Sequence, residues 1–146
     1  MDESAEQLAL TLTTHGMQRM TARVLTALLF TEQPTMTSSD LSEQLQASSG
    51  AISTSIRMLT SVGLAERVPV PASRRDHYRL RDNAWAVLFT NQNAVLSAMQ
   101  EAAAAGIAGT QKDSLARARL TQMRDFYAFL LGEIPTLLER WRQEQH

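Results

Sequence analysis

The chain has 146 residues, 44% hydrophobic and 20% charged, with a net charge of −1 and no cysteine. One compact unit with its own buried core is expected at this length, and disulfides, thiolate metal sites and cysteine redox sensing are excluded. No apolar run approaches membrane-span length and no signal peptide opens the chain, so no membrane partner and a cytoplasmic location are expected.

In chain order, Glu3 to His15 reads as a first helix, with Leu8 and Leu12 at helical spacing and Gly16 placed to end it. Met17 to Thr31 reads as a second, with Met20, Val24, Ala27, Leu28 and Leu29 on its apolar face. Pro34 closes the connection that follows. Thr37 is a suitable N-cap, with Asp40 three residues on, for a helix over Ser38 to Leu45 that turns Leu41 and Leu45 inward. Ala47 and Ser48 form a turn. A fourth helix follows from Ser49 to Val62, capped by Ser48, stopped by Gly63, and buried along Ile52, Ile56 and Leu59.

From Leu64 the period changes to two. Val68 and Val70 alternate, Pro71 to Arg75 turns the chain, and Tyr78 and Leu80 alternate again, which is a hairpin pattern. Pro69 lacks an amide donor, so its strand is expected to have an unpaired edge. A long helix is expected from Asp82 or Asn83 to Ala105, with Trp85, Leu88, Phe89, Val95, Leu96 and Met99 as its apolar face. A break follows over Gly106 to Thr110. Asp113 then caps a last helical region reaching Glu144, which Pro135 is expected to kink or split near Gly132. In it Ala116, Leu120, Met123, Tyr127, Leu130, Ile134, Leu137 and Trp141 alternate steps of four and three, a two-helix seam.

The predicted fold is mainly α with a small β-hairpin wing. A winged helix-turn-helix domain spans residues 17–82, and residues 1–16 and 83–146 supply a helical dimerisation region, all in one compact unit. A helix, a turn and a second helix followed by a hairpin with paired arginines suit the grooves of double-stranded DNA. With Ile52, Ile56 and Leu59 inward, Ser49, Ser53, Thr54 and Arg57 face outward. Short hydroxyl side chains allow close approach, and Arg57 can grip a guanine edge or a phosphate. Ser48 stands in the same DNA-facing set but reads first as a helix cap.

Ser73, Arg74 and Arg75 at the hairpin tip are placed to enter a minor groove. Asp76 is expected to pair with one of these arginines, and His77 to touch a backbone phosphate or to pack. Between Ala47 and Arg81 six basic and two acidic residues leave +4, against −5 for the remainder. That local surplus agrees with a DNA face but does not establish one.

The seam suggests a homodimer reading a palindromic operator, with Leu8, Leu12, Leu120, Met123, Tyr127, Leu130, Ile134, Leu137 and Trp141 at its interface. The alternative use of the seam is packing on the helix from Asn83 to Ala105, and a long helix can do both. A small-molecule effector could act by changing the spacing of the two reading heads. Met17, Met20, Trp85 and Phe89 are the candidates to line its pocket, beside their ordinary use in core packing.

Catalysis is disfavoured. His15, His77 and His146 are scattered without metal-ligand spacing, and no nucleophile elbow or phosphate-binding glycine loop occurs. No cofactor and no metal are expected. The other rival is a winged helix that binds a protein partner and no DNA, for which Arg57, Arg74 and Arg75 would have no use.

Three stretches carry a family resemblance: GMQRMTARVLTALL (Gly16 to Leu29), SSDLSEQLQASSGAISTSIRMLTSVGLAERV (Ser38 to Val68) and PASRRDHYRL (Pro71 to Leu80). They resemble the MarR family of winged-helix regulators, nearest its GbsR-like branch. The resemblance implies a homodimeric repressor with a winged helix-turn-helix in each subunit and a dimer interface built by the terminal helices. It implies Ser49 to Val62 as the recognition helix and Arg74-Arg75 at the wing. The absence of cysteine rules out the thiol-based peroxide sensing of some members. Related wings often carry glycine before the serine-arginine pair. Here Ala72 stands there, and it would be strained if a positive φ were required.

Overall fold

A computed structural model of the chain describes residues 1–91 and 93–145. Gln92 and His146 lie outside the described residues. The elements are α1 (Glu3–Thr14), α2 (Arg19–Phe30), β1 (Met36–Thr37), α3 (Ser38–Leu45), α4 (Ser49–Ser61), β2 (Ala65–Val68), β3 (His77–Leu80), α5 (Ala84–Asn91), α6 (Asn93–Ala108) and α7 (Leu115–Glu144). The three strands form an antiparallel sheet in the order β1-β3-β2. Thr37 lies opposite His77 and Val68 opposite His77 from the other side, so β3 is the central strand.

Chain contacts divide the fold into two units, Met1–Leu88 and Phe89–His146. This differs from the expected grouping of α1 with the C-terminal helices. Ala5 and Ala9 are buried, α1 packs on α2, and Leu12 leans on the winged-helix core. The division also falls after residue 82, because Ala84 is buried within the same core and Leu88 packs against it.

The core of the first unit is built from Val24, Leu25 and Leu28 of α2, Leu41 and Leu45 of α3, and Ile52, Ile56 and Leu59 of α4. Each set repeats every three or four residues, so each helix turns one apolar stripe inward. Local signals place the ends. Thr37 and Asp40 form a reciprocal capping box: the Asp40 N–H donates to Thr37 Oγ1 at 3.1 Å and the Thr37 N–H to Asp40 Oδ2 at 2.9 Å. Arg23 of α2 ties the helices together, donating to the Leu45 carbonyl at 3.2 Å and reaching Glu6 of α1 at 3.5 Å.

The exit from α4 is a Schellman turn, with the Gly63 N–H donating to the Thr60 carbonyl and the Leu64 N–H to the Leu59 carbonyl. Gly63 has φ +82°, and a Cβ there would sit 2.4 Å from Val87 Cγ1. Both the backbone angle and the space therefore demand glycine.

Several expectations are corrected. β1 has two residues, too short for a periodic signal, and was not anticipated. β2 ends at Val68, so Pro69 terminates the edge strand instead of sitting in it. Where a long helix was expected from Asp82 or Asn83 to Ala105, helix is described over Ala84–Asn91 and Asn93–Ala108, and Gln92 between them lies outside the described residues. α6 continues through Gly106 to Ala108. The cap of α7 is Ser114, whose Oγ accepts the Arg117 N–H at 3.1 Å, while Asp113 takes φ +65° just outside. α7 is one helix with Pro135 inside it, and it is not split near Gly132.

In the second unit α6 packs along α7. Leu120 of α7 lies over Gly106 of α6, where an added Cβ would meet its Cδ1 at 3.0 Å. Leu120, Met123, Tyr127 and Leu130 are half-buried and Ile134 is buried, whereas Leu137 and Trp141 are each 52% exposed. The seam is thus partly taken up inside the chain. Leu115, Phe126 and Phe129, which the seam pattern passes over, are exposed.

Replacing Gly63 by alanine should destabilise the fold by about 2–4 kcal/mol, from left-handed strain plus overlap with Val87. Urea unfolding of Gly63→Ala, alone and with Val87→Ala, tests this. The second change should restore the part due to overlap and leave the part due to φ.

Candidate nucleic-acid interface

α4 is amphipathic in the sense a reading helix requires. Ile52, Ser55, Ile56 and Leu59 are buried, while Ser49, Ser53, Thr54 and Arg57 are exposed. The α3–α4 turn is narrow because Gln46 ends α3 at φ 55°, a left-handed angle that reverses the chain in few residues. The Ser42 hydroxyl donates to the Ala47 carbonyl and pins that turn. Ser48 is the N-cap, its Oγ accepting the Ala51 N–H at 3.1 Å. Its first reading is the structural one: the hydroxyl oxygen starts the helix.

The hairpin stands beside α4. An open cleft of ≈ 490 Å3 is lined by Ser53, Ile56, Arg57 and Thr60 of α4, Ala65, Glu66 and Arg67 of β2, Tyr78 of β3, and Ser38 and Arg81. Sequence reasoning passed over Arg67, Arg81, Thr60 and Ser38 as parts of this surface. The legible signal for Arg67 was its place opposite Tyr78 in the hairpin register.

Charges in the hairpin are partly cancelled. Glu66 pairs with Arg79 at 2.8 Å and with Arg81 at 3.9 Å. Asp76, expected beside Arg74 or Arg75, instead faces Arg67 across the hairpin at 3.7 Å. Those two side chains are 69% and 60% exposed, so the pair is loose and screened. Among the described residues, Arg57, Arg74 and Arg75 have no carboxylate partner.

The hairpin tip is a type II arrangement. Pro71 occupies the second turn position, Ala72 the third at φ +66°, and the Ser73 N–H donates to the Val70 carbonyl at 3.2 Å. Glycine is the usual residue at that third position, and the strain anticipated for Ala72 is present. His77 is held within the wing, one of the two roles expected for it. Its Nδ1 lies 2.9 Å from Thr35 Oγ1 and its Nε2 2.8 Å from Ser73 Oγ. Both ring nitrogens are engaged within the wing and neither is free for a phosphate. Ser73 Oγ also accepts the Arg75 N–H at 3.2 Å.

Of the candidate effector residues, Met17 and Met20 pack against the core of the first unit. Trp85 is 50% exposed. Phe89 lines an apolar groove of ≈ 390 Å3 in the second unit with Leu137, Leu138, Arg140, Trp141 and Glu144.

Comparison with known proteins agrees with this architecture. Residues 15–76 match the MarR family, and residues 83–144 match a family described as MmpR5-like MarR family transcriptional regulators. The chain is 32% identical to the HTH-type transcriptional regulator MmpR5 of Mycobacterium tuberculosis over 142 residues, covering 97% of this chain and 86% of that protein. The chain belongs to the MarR family of transcriptional regulators.

A crystal structure of a transcriptional regulator superposes with a TM-score of 0.78 at 32% identity, covering 95% of each chain. The chain therefore shares its fold with that regulator over nearly its whole length. Members of the MarR family are regulators, a non-enzyme class, in accord with the reading against catalysis. The GbsR-like branch stays a resemblance, since the description matched over the C-terminal half is MmpR5-like. No helix among the described residues is long and apolar enough to cross a membrane.

Two substitutions probe the local assignments. Ser48→Ala should lower stability by about 1 kcal/mol through the lost cap, and Ser48→Asp should retain most of it. Ala72→Gly should raise stability by up to about 1 kcal/mol, since relief of left-handed strain exceeds the added freedom of the unfolded chain. Thermal or urea unfolding of each variant reads both effects.

Proposed function

We propose that this MarR-family chain binds double-stranded DNA sequence-specifically as a homodimer and acts as a repressor by occupying a palindromic operator. α4 enters a major groove with Ser49, Ser53, Thr54 and Arg57 toward the bases and flanking phosphates. Arg74 and Arg75 reach the adjacent minor groove from the wing tip. The observation that carries the reading is the unpaired state of these three arginines. Their neighbours Arg67, Arg79 and Arg81 all have carboxylates, whereas these have none among the described residues. Exposed guanidinium groups without carboxylate partners among the described residues, on α4 and at the hairpin tip, suit phosphate and base-edge contacts.

The homodimer part is supported by the apolar surface that the second unit leaves open. Leu115, Phe126, Phe129, Leu137 and Trp141 are each more than half exposed. So much large apolar surface on one helix favours burial against a second copy. Two heads related by a two-fold axis would read half-sites about 34 Å apart or a multiple of it. An effector that alters the distance between the heads would end their simultaneous engagement and release the DNA. The groove lined by Phe89, Leu137, Leu138 and Trp141 has the size of small-ligand sites and supports such control.

Selection of bound sequences from a random duplex pool should yield a palindrome. On the selected duplex, replacing Arg74 and Arg75 together by alanine should reduce the slope of log affinity against log salt by about 2. Sedimentation should show the same dimer before and after. A protein that selects no duplex and whose wing arginines are dispensable would instead be a protein-binding winged helix.

A further inference from the structure

The wing tip raises a mechanical question. Its arginines lie in an exposed loop, and the turn Val70–Ser73 fixes only the near side of that loop. The Arg67–Asp76 pair across the stem is open to solvent and contributes little order. A loop free to wander must be immobilised on binding, which weakens affinity. One side chain spans the gap between the tip and the body of the domain, and it is His77.

His77 opens β3 and pairs with Thr37 of β1 in the sheet register, so its backbone is held at the sheet centre. Its ring connects two hydroxyls on different parts of the chain. Thr35, half-buried in the link before β1, meets Nδ1 at 2.9 Å. Ser73, at the tip, meets Nε2 at 2.8 Å. A neutral imidazole offers one donor and one acceptor, and a hydroxyl can serve as either, so both contacts can be satisfied at once. Ser73 Oγ then accepts the Arg75 N–H at 3.2 Å. The result is a continuous chain, Thr35–His77–Ser73–Arg75, from the scaffold to the tip backbone.

We propose that His77 is a positioning residue for DNA binding: it clamps Ser73 to Thr35 and so holds the backbone that aims Arg74 and Arg75. The proposal rests on the DNA reading above. It assigns His77 no contact with DNA, and it extends the determinants of affinity to Thr35, which lies outside both the helix-turn-helix and the hairpin.

Thr35→Val keeps the side-chain shape and removes the hydroxyl, and Thr35→Ser restores it. Thr35→Val should weaken duplex binding about fivefold, the order expected for one ordering hydrogen bond. Thr35→Ser should bind as the unsubstituted chain does. With Arg74 and Arg75 both replaced by alanine, Thr35→Val should change affinity less than about twofold, because the arginines it positions are gone. Ser73→Ala breaks the clamp from the exposed end, where folding is not at stake, and adding Thr35→Val to it should have no further effect. Hydrogen exchange at the Arg75 amide should quicken in both single variants without DNA present.

Affinity unchanged by Thr35→Val, or reduced equally with and without Arg74 and Arg75, would overturn the role of His77 while leaving DNA binding intact. Failure of the unsubstituted chain to bind any duplex would overturn the DNA reading itself, and with it any positioning role in DNA binding. The two failures are thus told apart by the unsubstituted control.

Discussion

The structure depends on how α4 is seated. Ile52, Ile56 and Leu59 sink one stripe of the helix into a core shared with α2 and α3, and burying each such side chain contributes about 1.5–3 kcal/mol. That burial decides which residues can face outward. Rotating α4 to hide Ser53 or Arg57 would expose the isoleucines and bury polar groups without partners. The polar face is therefore a consequence of the apolar one. The Schellman turn at Gly63 then sends the chain directly into β2, and the backbone beside Val87 leaves no room for another residue type. Helix and hairpin are held side by side by that turn and by the Arg81 N–H, which donates to the Leu64 carbonyl at 2.9 Å at the hairpin base.

Charge in this region is selective. The segment is only modestly basic, and half of its arginines are occupied by Glu66 and Asp76. Such pairs on an exposed surface contribute little to stability. Their effect here is on distribution. Arg67, Arg79 and Arg81 are partly neutralised along the hairpin stem, while Arg57 and the tip arginines keep their full charge. A uniform basic face would hold any polyanion. Three guanidinium groups at separate points, without carboxylate partners among the described residues, favour a ligand whose charges match those points.

Much of this was legible in the sequence, for identifiable reasons. Thr37 and Asp40 mark the start of α3 because a capping box needs those residue types three apart. Ser48 and Gly63 bracket α4 for equally local reasons. The strain at Ala72 was anticipated only through the family resemblance, because related wings often carry glycine at that position. What escaped depends on the third dimension. Two residues of β1 have no period to detect, yet they make β3 a central strand. Asp113 and Ser114 are both good caps on paper, and the backbone at Asp113, at φ +65°, leaves the task to Ser114. Asp76 adjoins the tip arginines in sequence, but the hairpin register sets it across from Arg67. The partner of His77 could not be named because Thr35 lies 42 residues away.

The C-terminal unit shows the same limit in a more consequential form. The alternating stripe on α7 predicts that the helix has a partner without saying whose helix it is. α6 takes up much of that stripe within the chain, so periodicity alone could not identify a surface for a second copy. Phe126 and Phe129 fall outside the stripe and remain exposed, as do Leu137 and Trp141 at its end. The apolar residues left over after intramolecular packing become visible only once α6 has been placed. In the proposed homodimer that residue set would matter as much as the arginines, because selectivity for a palindrome requires two heads held at one fixed separation.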